Sequence, residues 1–437
     1  MQFKSTKAHG RLVSFRDAIL HCLPPEGGLY VPADLIDMRQ FFLYMDADTS
    51  YPELVETVAP ALLEGELNPL GAAKVAQSAF DFAPELIQLD ERFSLLKLYN
   101  GPTGVFKDFG TGFLAAVMEE MLKDNDRSMV LSAARGDTGV SIARAFAGRR
   151  NIICCLLYPS GPIHGLDPAT FVPNGGNIIP IQVRGTFDDC QRLITETIYD
   201  ESFADRYHIT NANARNPGRL LPQSFYYMYA FIQLKQQLKG DLLFSVPCGN
   251  GGNFIAGLYS WKFGMPVNGF VAAMNVNNAF GDFIQGKGFS PKPPQATISP
   301  GLDVSAPSNY ERLAAFYQEA PAVMRHMVFP ASIDERATID TIRGVWKRYG
   351  QIIDPHAAVA FAAAERLIAS REFADSDAHI VALATGHPAI TAELVSEITG
   401  QSIKIPDSLL ALRKQSDPIA IIDSQLDALE GAIASCF

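Results

Sequence analysis

The feature that most restricts this chain is an alternation that recurs from about residue 95 onward. Short runs of β-branched and other apolar residues are each followed by ten or more residues with the apolar spacing of a helix. Met129-Val130-Leu131 leads into a helical pattern through Val140, Ile142, Ala143 and Phe146, and Ile152–Leu157 follows. Ile178–Val183 precedes a helix expected to start near Phe187, and a long helix is predicted over Arg219–Lys239. Asp241–Val246 and His379–Ala384 are two more strand-like runs. Strands separated by helices of that length pair in parallel, so the fold class is α/β with a largely parallel sheet. Such sheets bind ligands beyond the carboxyl ends of their strands, which directs attention to the loops there.

The first 90 or so residues read differently, as a mainly helical leader. Leu54, Val55, Val58, Leu62 and Leu63 have helical spacing, and a turn cluster lies over Leu23–Pro32. No internal repeat or low-complexity segment interrupts the chain. Apolar residues make up 48% and charged ones 19%, a balance that leaves little room for disorder. A formal net charge of −11 argues against nucleic-acid partners, which need a basic face. The six cysteines form no CxxC pair and have no histidine at zinc-ligand spacing, so no metal is expected. The start, Met1-Gln2-Phe3-Lys4-Ser5, has no apolar signal core, and no run of 18 apolar residues occurs. A cytoplasmic protein with reduced thiols and no membrane partner is the expectation.

Four loops carry candidate chemistry. Tyr99-Asn100-Gly101-Pro102-Thr103-Gly104 leads into Val105-Phe106-Lys107-Asp108-Phe109, and apolar residues then recur at 113, 114, 117, 118, 121 and 122. Lys107 thus stands where a loop becomes a helix, between two phenylalanines. Desolvation there would favour the neutral, nucleophilic amine that a Schiff-base lysine needs, whereas a snorkelling surface lysine fits the same positions. Gly136-Asp137-Thr138-Gly139 opens a helix whose free N–H groups suit an anion; a plain N-cap by Asp137 or Thr138 fits as well. Pro247-Cys248-Gly249-Asn250-Gly251-Gly252-Asn253 places three glycines in four positions at a strand-to-helix turn, a nest for a phosphate with Asn250 as a donor. It is neither a Walker loop nor a GxGxxG fingerprint. Thr385-Gly386-His387-Pro388 puts a hydroxyl and an imidazole at another strand end. A lysine, a phosphate nest and a second anion loop together suit pyridoxal phosphate better than NAD, ATP or a metal.

These motifs resemble the threonine synthase family. The resemblance is carried by Gly27-Gly28-Leu29-Tyr30-Val31-Pro32, Phe106-Lys107-Asp108, Gly136-Asp137-Thr138-Gly139, the Gly249-Asn250 loop, Asp354-Pro355-His356-Ala357 and Thr385-Gly386-His387-Pro388. It implies a fold-type II pyridoxal-phosphate enzyme, tryptophan synthase β-like, with two open parallel α/β subdomains behind a mainly helical N-terminal domain. That domain would span 1–92 and the catalytic region 93–437, with a smaller mobile subdomain over about 110–230. By motif, Lys107 would hold the cofactor aldehyde, Gly249, Asn250, Gly251, Gly252 and Asn253 its phosphate, Asp137 its phenolic oxygen and Thr385 its pyridine nitrogen. Thr138, Gly139 and Arg219 would meet the substrate, with Asn213, Arg215 and Arg135 as further candidate contacts that the family's pattern does not supply. The reaction implied is loss of phosphate from the γ-carbon of O-phospho-L-homoserine and addition of water at the β-carbon to give L-threonine, in amino-acid biosynthesis. A monomer or homodimer is expected.

The substrate loops depart from the family's pattern. Ala134-Arg135 stands where Thr-Ser is usual, 161–169 reads Gly-Pro-Ile-His-Gly-Leu-Asp-Pro-Ala in place of a Gly-Lys-x-Ser pattern, and Asn213-Ala214-Arg215 replaces hydroxyl donors. Either Arg135 and Arg215 rebuild a phosphate pocket, or they read another group, making the chain a specialised lyase or β/γ-replacement enzyme on a different activated amino acid. His164 lies in the altered loop and could act on a leaving group, while His356 and His387 are expected to support the site.

Overall fold

The computed structural model of the chain describes residues 1–7, 11–122, 126–134, 136–160, 175–412 and 417–435. Six strands build the larger sheet in the order Val328–Ser332, Gly269–Met274, Leu242–Pro247, His379–Ala384, Phe93–Lys97 and Glu85–Gln88. All neighbours are parallel except the last pair, an antiparallel hairpin. The boundary expected at 92/93 falls inside that hairpin. Five wholly parallel strands build the second sheet: Ala420–Asp423, Ile178–Arg184, Ile152–Pro159, Ser128–Ala133 and Ile209–Thr210. Its first strand comes from beyond the 110–230 span. The central strands of both sheets are buried along their length, as expected where helices cover both faces.

One expectation needs correction. The helix predicted over Arg219–Lys239 is broken into Pro217–Leu220, a 3₁₀ turn at Leu221–Gln223 and Ser224–Leu234. Pro222 explains the break, since it lacks an N–H and its ring opposes the preceding turn. The leader also contains a three-stranded antiparallel sheet, with Gln2–Ser5 between Val13–Ser14 and Tyr30–Pro32. Strands of two to four residues are too short to show alternation.

The leader helices Tyr51–Leu62 and Pro69–Ala79 prepare the central helix, Lys107–Met121. Ser50 starts the first with a reciprocal capping box to Glu53, and Leu54, Val55, Val58 and Leu62 face inward. The second helix comes so close that a Cβ at Gly112 would lie 2.8 Å from the Ala79 carbonyl oxygen. Tyr51, Phe80, Phe82, Phe109 and Tyr226 interlock edge-on around the start of the central helix. Phe82 is partly buried, and each fully buried ring among the others contributes about 1.5–3 kcal/mol, which anchors the position of Lys107 from below.

Candidate active site

Lys107 is the first residue of its helix, and its Nζ donates to Asp137 Oδ1 at 2.5 Å. Only one of the flanking phenylalanines faces the amine: the Phe106 ring lies 5.9 Å from it, whereas Phe109 is fully buried in the aromatic cluster. The lysine therefore meets a carboxylate as well as an apolar wall. Burial opposes the Asp137 charge, but Lys107, through its charge and its hydrogen bond, outweighs it and holds the carboxyl below its usual range. The N-cap of the Asp137–Phe146 helix is Gly136, with no side-chain cap bond, so Asp137 is spent on Lys107 and not on capping. Thr138 is half-buried, and the Gly139 N–H is engaged by Gly136 O at 3.1 Å.

Asp108, which no role was assigned from sequence, fastens this arrangement. Only 3% exposed, it accepts from the Thr103 N–H at 2.8 Å, the Thr103 hydroxyl at 2.6 Å and the Ser141 hydroxyl at 2.8 Å. It joins the turn before Lys107 to the helix that carries Asp137. Burial keeps its carboxyl above the ordinary range despite those bonds.

The glycine turn lies at the end of Leu242–Pro247 and opens the helix Gly252–Lys262. A Cβ at Gly249 would sit 2.4 Å from Gly301 O, and one at Gly251, whose φ is +75°, 2.3 Å from the Phe280 ring. Only glycine fits these two places. Asn250 is exposed, with its Oδ1 accepting the Ser308 N–H and its carbonyl the Asn309 N–H, both at 3.2 Å. Asn253 is buried, and its Oδ1 accepts the Tyr226 and Tyr227 hydroxyls at 2.6 and 2.7 Å. That fixes the amide and leaves Nδ2 buried without a partner, a donor awaiting an acceptor. Thr385 is buried at the end of His379–Ala384, and its carbonyl receives the Phe106 N–H at 2.9 Å, which brings that strand end beside Lys107.

The expected substrate residues divide. Arg219 is 5% exposed, and its Nη1 donates to Ala212 O at 2.7 Å while its Nε is buried without a partner. Burial lowers it to about 10, opposed by Asp137 and Asp108. Asn213 accepts the Arg215 N–H at 2.8 Å, and both residues line a small cavity with Cys22, Gln191, Thr195 and Asn211. That lining shares no residue with the Lys107–Asp137 pair or the glycine turn. Arg135 and His164 lie outside the described residues. His356 Nδ1 is 2.6 Å from Asp354 Oδ2 and its Nε2 accepts the Gly301 N–H at 3.0 Å, while His387 Nδ1 accepts the Ala389 N–H at 3.0 Å. Both rings brace turns. Sequence reasoning passed over Gln223 and Tyr226, which run from Arg219 O through Gln223 to Asn253. No motif marks them.

An amine at a helix start, a glycine cradle that a Cβ would fill and an orphaned buried amide donor fit an aldehyde with a phosphate tail. Fold and site together define a pyridoxal-phosphate-dependent enzyme of fold type II. Residues 84–386 match the family model described as pyridoxal-phosphate dependent enzyme, and residues 2–80 match the threonine synthase N terminus model. The chain is 34% identical over 415 residues to threonine synthase of Serratia marcescens, covering 95% of this chain and 94% of that one. The crystal structure of threonine synthase from Escherichia coli superposes with a TM-score of 0.89 at 30% identity, over 100% of both chains. The pyridoxal-phosphate-bound threonine synthase from Brucella melitensis gives 0.88 at 26% identity, over 100% and 99%. The chain belongs to the threonine synthase family.

Proposed function

We propose that this enzyme makes threonine from O-phosphohomoserine and water, releasing phosphate, with pyridoxal phosphate as its cofactor. When bound, that cofactor supplies an aldehyde that joins amines and a ring that withdraws electrons from the carbons next to them. The observation that carries the reading is the Lys107 amine, set against Asp137 between the Thr385 strand end and the helix that Asp108 ties in place. Lys107 would hold the aldehyde and, once released, move protons at the α- and β-carbons of the substrate. Asp137 would approach the cofactor's phenolic oxygen and would accept from the amine when it is free. Gly249, Asn250, Gly251, Gly252 and Asn253 would take the cofactor phosphate, and Asn253 Nδ2 is the donor that such an oxygen would satisfy. The Thr385 hydroxyl would meet the ring nitrogen without lending it a charge. Arg219, with Thr138 and Gly139, would meet the substrate's anionic ends, whereas Asn213 and Arg215 line the separate cavity.

Closure of the subdomain over about 110–230 would exclude water until it is needed. Among the described residues no helix is long and apolar enough to cross a membrane. A cytoplasmic location and a monomer or homodimer belong to the same proposal. Purified enzyme should show a visible band that is lost, with turnover, in Lys107→Ala. Phosphate should be released from O-phosphohomoserine, while the acetyl and succinyl analogues stay inert; the reverse preference would assign a different substrate.

A further inference from the structure

Arg312 lies on the helix Tyr310–Glu319, outside every motif, and is among the largest fully buried side chains of the described residues. A guanidinium out of water is costly unless all its donors are paired, and it has five. All five are used. Nε and Nη2 donate to Tyr30 O at 3.0 and 2.9 Å, Nη1 to Ala214 O at 3.0 Å and Asn309 Oδ1 at 2.7 Å, and Nη2 to Arg215 O at 2.6 Å. None of these acceptors is a carboxylate: peptide and amide oxygens take every donor, and the neighbouring Glu311 carboxylate favours the charge only from outside that hydrogen-bonded set. Burial brings it down to about 10.

The acceptors belong to three parts of the chain. Tyr30 is in the leader sheet. Ala214 and Arg215 are in the loop that leads to Arg219. Asn309 donates through Nδ2 to Asn250 O at 3.1 Å, inside the glycine turn. A Cβ at Gly252 would meet Ala214 Cβ at 3.0 Å and Asn309 Nδ2 at 3.6 Å, so Arg312 Nη1 bridges the two residues that flank the start of the phosphate-facing helix. Its neighbour Glu311 holds the leader as well, accepting the Thr6 hydroxyl at 2.9 Å.

We propose that Arg312 is a positioning residue for cofactor binding, bracing the glycine turn through Asn309 and Ala214 and tying both to the leader strand at Tyr30. The inference rests on reading 249–252 as the phosphate turn. It gives the leader a task beyond covering the core: its Tyr30 carbonyl is one end of a strut whose other end sets the cradle. Lysine would keep the charge but could not span four acceptors in one plane.

Cofactor-free protein would be titrated with pyridoxal phosphate and followed by absorbance, for wild type, Arg312→Met, Arg312→Lys, Asn309→Ala and the Arg312→Met/Asn309→Ala double variant. Both Arg312 variants are expected to bind about tenfold more weakly or worse, as loss of a charge-assisted donor set implies. Asn309→Ala should share most of that loss, and the double variant should bind no more weakly than Arg312→Met, since both act through one path. At saturating cofactor kcat should change less than affinity does. Wild-type affinity in Arg312→Met, full restoration by lysine, or additive losses would overturn the inference. Should Arg312→Met fail to fold, Asn309→Ala decides: wild-type affinity there refutes the brace. If wild type itself takes up no cofactor, the phosphate-turn reading fails before Arg312 is reached.

Discussion

Arg219 and Arg312 are buried to nearly the same degree and put to opposite uses. Both are 5% exposed or less, both are brought by burial to about 10, and among the described residues neither forms an ion pair with a carboxylate. Arg312 spends every donor on the chain's own oxygens. Arg219 gives one bond to Ala212 O and keeps its Nε buried and unmet. A buried donor left unmade costs about 1–3 kcal/mol, which an incoming anion can recover and a finished strut cannot. Counting donors thus separates a receptor from a brace where burial and charge alone do not.

The contrast can be broken most decisively at Arg219. Arg219→Met should lower kcat/KM by about 10²- to 10³-fold, on the order of 3–4 kcal/mol, with cofactor uptake and melting temperature close to wild type. If it loses cofactor as Arg312→Met is expected to, the division of labour between the two disappears. Gly251→Ala attacks from the front the turn that Arg312 braces from behind. Its positive φ and the Phe280 ring predict about 2–3 kcal/mol of destabilisation in thermal melts together with weaker cofactor binding. A variant as stable as wild type would mean that the turn is softer than its packing implies.

The smallest effect is expected from Asp137→Asn, which removes one of the carboxylates facing Arg219. Because the folded Asp137 carboxyl titrates below its ordinary value of 3.8, its pairing adds stability above that value and loses it as pH falls through the lower, folded one. With the side chain a third exposed, the gain is below about 1 kcal/mol. Melting curves of the cofactor-free protein should therefore differ slightly at neutral pH and converge in the acid range below about pH 4. Curves that stay parallel to the acid end would show that the Lys107 pair contributes nothing to folding.

Much of the large-scale plan was legible from periodicity. Ser128–Ala133, Ile152–Pro159, Ile178–Arg184, Leu242–Pro247 and His379–Ala384 are apolar runs with strong turn signals after them, and burial on both faces makes such strands read clearly. Phe106-Lys107-Asp108 and the glycine turn stood out for a related reason: few residue types satisfy their backbone demands. Glu85–Gln88 and Ala420–Asp423 are edge strands whose partial exposure leaves a mixed pattern. The break at Pro222 was readable and was overridden by the apolar spacing on either side of it. Arg312 could not be found in one sequence, because its bonds go to carbonyl oxygens, which every residue carries. Asp108 was visible as a motif letter, but its partner Ser141 is a turn beyond Asp137 and signals nothing by itself.

The strand Ala420–Asp423 borders Ile178–Arg184 from the far end of the polypeptide. During synthesis the ribosome releases Ile178–Arg184 long before its neighbour, so a newly made chain carries an unpaired sheet margin while most of the remaining protein is still being translated. Such margins attract one another, and contacts this distant in sequence form late. Premature termination ahead of residue 420 would thus leave every residue discussed for catalysis in place and still yield a product prone to sticking to its copies.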